Sequence, residues 1–121
     1  MLLAKYSVAE GDTSADITIS FFPGEVGGVL ANVNRWRGMV GLPPLATDGL
    51  DKATESLDVP GGKAILVDVN GKSAKTGKES RLIGVIWPRE GQTWFYKLAG
   101  DPSIVDKENA AFRKFVQSVR Y

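Results

Sequence analysis

Apolar residues recur at every second position in five stretches of the chain, and at three- and four-residue intervals in two others. The first spacing is that of a strand, whose side chains alternate between two faces; the second is that of a helix with one buried side. Residues 2–8 alternate weakly. Residues 17–22 alternate clearly, with Ile17, Ile19 and Phe21 against Thr18, Ser20 and Phe22. The polar stretch 10–16 between them completes a predicted antiparallel hairpin. Residues 63–70 predict a third strand, 81–88 a fourth and 93–100 a fifth. The last two are apolar on both sides for much of their length, so their sheet must be at least partly covered on both faces. Short connections make these three strands an antiparallel meander.

The chain is organised around residues 23–44, PGEVGGVLANVNRWRGMVGLPP. A helix is predicted over 26–40. Val29, Val33, Trp36 and Val40 fall on one narrow stripe, widened by Val26 and Leu30. Asn34, Arg35 and Gly38 point the other way, while Asn32 and Arg37 flank the stripe. In a functional reading, Asn32, Arg35 and Arg37 surround Trp36 as a ligand-binding constellation for an anionic or aromatic molecule. In a structural reading, Arg37 lays its stem on apolar surface and pairs with a carboxylate, Asp68 being the natural candidate. Asn32 then satisfies a loop backbone group. The structural reading weighs more. Glycines before the helix could offer free N–H groups to an anion, but more often serve a tight turn.

After Gly41 the prolines enforce extended chain. Thr47 or Asp48 can cap a short helix reaching about Ser56, weakened by Gly49. Asp101 followed by Pro102 marks the start of a final helix to about Val119. Its buried face carries Ile104, Val105, Ala111, Phe112, Phe115, Val116 and Val119, with Glu108 projecting from the middle. The order strand–strand–helix–helix–strand–strand–strand–helix predicts one α+β domain over residues 1–121. It is a three-layer α/β/α sandwich around a mainly antiparallel sheet.

Composition narrows the chemistry. The chain has 121 residues, with 15 Lys+Arg against 14 Asp+Glu, a net charge of +1. No global field draws it to nucleic acid or an anionic membrane. It has no Cys and no His, which removes disulfides, thiol nucleophiles, His-dependent metal sites and the commonest general base near neutral pH. An enzyme would need Asp, Glu, Lys, Ser or Tyr chemistry, and Asp58, Asp68 and Glu108 form no local cluster. We therefore expect no catalytic residue, no metal and no cofactor. The first nine residues are too short and polar for a signal peptide or a membrane span. Structure starts without a lead-in, which suggests a trimmed precursor.

The segment 71–80, GKSAKTGKES, is not a P-loop, because Leu66 and Lys72 occupy the places where that motif needs glycine, and a strand follows. Lys72, Lys75 and Lys78 read as a solvated hairpin tip or as part of a partner surface with Asn34. The aromatic strands could stack bases, but basic residues between them are sparse.

Residues 22–45, together with 91–121, resemble a family of uncharacterised bacterial proteins found especially in planctomycetes and verrucomicrobia. The LANVNRWRG and GQTWFYKL segments carry the resemblance. It implies an exported protein or lipoprotein of the cell envelope with a variable N-terminal part. The element order is also similar to the PsbP-like fold, a likeness that transfers no function. The expected role is a non-enzymatic binding or accessory domain acting through a protein partner. The alternative is a small-molecule or anion pocket beside the helix at 26–40.

Overall fold

A computed structural model describes residues 2–11, 13–23, 28–60, 62–89 and 91–118. Strands β1 (Leu2–Glu10) and β2 (Thr13–Pro23) lead into helix α1 (Gly28–Met39). A 3-10 turn (Thr47–Gly49) runs into the one-turn helix α2 (Leu50–Ala53). Four strands follow, β3 (Glu55–Val59), β4 (Gly62–Lys72), β5 (Glu79–Arg89) and β6 (Gln92–Gly100), and helix α3 (Pro102–Ser118) closes the described chain. The strands form one antiparallel sheet in the order β1-β2-β6-β5-β4-β3. The class is α+β with an open antiparallel sheet, as the alternation predicts.

The two-sided strands explain where the core lies. Alternate residues of β5 enter two different clusters. Ile83, Val85 and Trp87 pack with Tyr96, Leu98 and the buried face of α3, namely Ile104, Val105, Phe112 and Val116. Leu82 and Ile86 pack with Val67, Phe95 and the α1 residues Val33 and Trp36. Trp36 reaches this depth because position 84 carries no side chain. A Cβ on Gly84 would lie 2.2 Å from the Trp36 ring.

Helix α1 ends by a Schellman arrangement. The Leu42 N–H reaches the Arg37 carbonyl and the Gly41 N–H that of Gly38, with Gly41 at φ 71°. The next carbonyls are taken by the neighbouring hairpin: Lys72 N–H donates to Val40 and Ala74 N–H to Met39. Gly71 permits this approach, since a Cβ there would meet the Val40 oxygen at 1.9 Å.

Several expectations need correction. The short helix stops at Ala53, and residues 55–59 are an edge strand paired with β4. Pairing buries Leu57 and Val59 in the cluster under α3, which outweighs a local helix already weakened by Gly49. The residue at the cap position of α2 is Gly49, rather than Thr47 or Asp48, and it brings no side-chain cap. The turn expected at 10–16 is shorter, because β2 already begins at Thr13. The loop expected at 71–80 shrinks to 73–78. On α3, Ala111 and Phe115 are exposed, and Val119 lies outside the described residues.

Candidate functional site

Helix α1 packs over β4 and β5, and beside it the same face of β2 and β6 is left as a cleft. The cleft measures about 340 Å³ and is lined by Arg35, Trp36 and Met39 of α1, by Thr18 and Ser20 of β2, and by Lys97 of β6. Phe22 and Phe95 complete its apolar wall. The register explains the grouping: Thr18 pairs with Lys97 and Ser20 with Phe95, and directly paired residues share a face.

Two cations dominate its electrostatics. The Arg35 guanidinium lies 5.4 Å from the centre of the Phe95 ring, a cation–π contact that holds it against the cleft wall. Lys97 is partly buried in the sheet face, with its Nζ 3.7 Å from the Met39 sulfur. Burial lowers its affinity for the proton, the Arg35 charge lowers it further, and Asp16 opposes both. Among the described residues neither Arg35 nor Lys97 belongs to an ion pair. A partly desolvated ammonium beside a second cation is the kind of group that a carboxylate or phosphate stabilises.

A second cleft, of about 370 Å³, meets the first at Met39 and Lys97. It continues past Asp16 and Leu82 to Ser73, Ala74 and Lys75 of the β4–β5 hairpin. Asp16 is engaged there: the Ser7 hydroxyl donates to it at 2.6 Å, and Lys5 lies 3.7 Å away.

Of the four residues expected around the ligand, the structure brings Arg35 and Trp36 to the cleft. Asn32 is buried and its amide donates to the Gly28 carbonyl at 2.7 Å. Arg37 does not meet Asp68. Its Nε donates to the Pro43 carbonyl at 2.8 Å, bracing the exit from α1. Asp68 is held instead by Arg81 in a forked contact, 2.9 Å from Nε and 2.6 Å from Nη2, one strand away on β5. The reason is the face: Arg81 and Asp106 of α3 lie on the side of the sheet opposite α1.

On the expected partner surface, Asn34 makes paired bonds to the backbone of Leu45, 2.7 Å to its N–H and 3.1 Å to its carbonyl. Lys72, Lys75 and Lys78 are exposed on the hairpin, and of these Lys75 reaches the double cleft. Glu108 is half-exposed on α3. Asp58 pairs with Lys63. Of the glycine-rich stretch 24–28 considered above for anions, residues 24–27 lie outside the described residues, Val26 of the expected helix stripe among them, and Gly28 opens α1.

Sequence reasoning missed Lys97, Thr18 and Ser20. A signal was present: a lysine within TWFYKLAG and two hydroxyls alternating with Ile17 and Ile19 mark a polar strip on a face that would otherwise be covered.

Fold and site together define an α+β protein with an open six-stranded antiparallel sheet and a cationic cleft beside its first helix. No protein-family model matches the chain, and no curated protein matches it. Its fold is similar to a crystal structure of PA94 from Pseudomonas aeruginosa, a protein of unknown function suggested to be a regulator. The TM-score is 0.61 at 15% identity, covering 98% of this chain and 83% of that one. At that identity the likeness concerns the fold alone.

Proposed function

We propose that this protein is a non-enzymatic binding domain whose site is the cleft between α1 and β2–β6. The ligand presents negative charge next to apolar surface. The observation that supports this is the pair Arg35 and Lys97: two cations outside any ion pair of the described residues, on a wall of Met39 and Phe95. Holding them together costs stability unless an anion joins them. We further propose that the fold is PsbP-like and three-layered, supported by separate clusters under α1 and α3. An exported or envelope parent protein is proposed on the resemblance carried by LANVNRWRG and GQTWFYKL.

Thermal unfolding against alkyl phosphates, fatty carboxylates, sugars and nucleotides tests the site. A ligand of the native state raises the midpoint. The expected outcome is stabilisation by an anionic amphiphile of the wild type and of Arg37→Ala, but not of Lys97→Ala or Arg35→Ala. Stabilisation that survives both of the latter substitutions would place the site elsewhere.

A further inference from the structure

Taking the cleft as a binding site, we propose that its occupant is an acidic, apolar-rich segment of another protein, laid along β2 and then across to the β4–β5 hairpin. Length is the first argument. The two clefts adjoin at Met39 and Lys97, whose Sδ–Nζ contact at 3.7 Å is the boundary between them, and a chain laid over that contact would span both as one groove. Its floor follows β2 from Phe22 to Asp16, about 20 Å at ~3.4 Å per residue, and then crosses Ala99 of β6 and Leu82 of β5 to the hairpin, roughly 10 Å more at ~4.8 Å between neighbouring strands. A single small anion fills a fraction of that. A peptide of roughly nine extended residues fills it all, whereas a straight helix cannot follow the change of direction at Asp16.

Charge is the second argument. Arg35, Lys97 and Lys75 line the groove and stand outside the ion pairs of the described residues. Asp16 is the one carboxylate among the described lining residues, and Lys5 and Ser7 already engage it. The groove therefore carries net positive charge although the whole chain is nearly neutral. Between the cations lie Met39, Leu82, Ala74 and Ala99, which suit aliphatic side chains. Aromatic stacking on bases is disfavoured, because Trp36 is 2% and Phe95 3% exposed.

Rigidity is the third. The hairpin that carries Lys75 is fastened to the end of α1 by the Lys72 and Ala74 N–H groups. The groove wall is thus set before a partner arrives, which lowers the ordering cost of binding.

The test uses the full chain and fluorescence anisotropy. The probes are a fluorescein-labelled 12-residue peptide of Glu, Leu and Met, its Lys-for-Glu counterpart, and decyl phosphate as an unlabelled competitor. The acidic peptide should bind, the lysine peptide should not, and added salt should weaken the complex. Lys97→Ala and Lys75→Ala should each weaken it by ~tenfold. Lys63→Ala, on the far strand pair with Asp58, should leave it unchanged. If decyl phosphate raises the unfolding midpoint through Lys97 but the acidic peptide fails to bind, or binds equally to Lys75→Ala and Lys97→Ala, the protein-segment proposal falls and the cleft stands. If neither probe binds, both fall.

Discussion

Lys97 shows how a single residue of the proposed site can cost the fold stability. Its ammonium sits on a sheet face beside Arg35, where burial and like charge both disfavour the charged form. The unfolded lysine keeps its proton up to about its ordinary value of 10.5, whereas the folded one releases it earlier. Between those two pH values the unfolded chain binds more protons, so stability rises with pH across that window. Lys97→Met should therefore raise the unfolding midpoint at pH 7, and the gain should shrink as the pH approaches 10.5. Denaturant titrations of both proteins at the two pH values check this. A gain that is equal at both would mean that the charge costs the fold nothing. Arg37 and Asn34 teach the opposite lesson. In sequence Asn34 looks exposed and Arg37 looks like a partner for a carboxylate, and both are spent on backbone groups of the 43–45 exit.

At the scale of elements, the seating of α1 on the sheet depends on two glycines as well as on its own apolar stripe. Gly84 leaves room for the Trp36 ring and Gly71 for the Val40 carbonyl. Gly84→Ala should lower stability by about 1–3 kcal/mol, the range for overpacking a filled core. Gly38 offers the contrast. It lies within α1 with open space around it, so Gly38→Ala should stabilise by about 0.5–1 kcal/mol through helix propensity and the unfolded chain. Urea unfolding of the two variants should give shifts of opposite sign. Two shifts of the same sign would show that Trp36 is not seated over position 84. Helix α3 is more self-sufficient at its start: the Asp101 carboxylate accepts from the Ser103 N–H at 2.9 Å and from its hydroxyl at 2.5 Å.

For the whole molecule, the question is whether α1 and α3 unfold together. The sheet joins them, because Leu82 and Ile83 are neighbours on β5 and enter opposite clusters. A strand cannot lose one face while keeping the packing of the other, so one cooperative transition is expected. Trp36 and Trp87 lie in different clusters. Tryptophan fluorescence should therefore coincide with far-UV circular dichroism through a denaturant titration. Fluorescence that changes before the dichroism would mean that one helix detaches alone.

The sequence by itself determined what is local and periodic. It determined the alternating strands, the meander of β4, β5 and β6, the stripe through Val33 and Trp36, and the Asp101–Pro102 helix start. Each follows from backbone geometry and apolar spacing within a few residues. The tertiary structure decided what depends on distant residues meeting. It made 55–59 a strand, because an edge needed pairing and α3 needed Leu57 and Val59 beneath it. It gave Asp68 to Arg81 rather than Arg37, because Arg37 lies across the sheet from that carboxylate. It also set Lys97 beside Arg35, since strand register and helix position must both be known before two cations far apart in the chain can be seen to share one cleft.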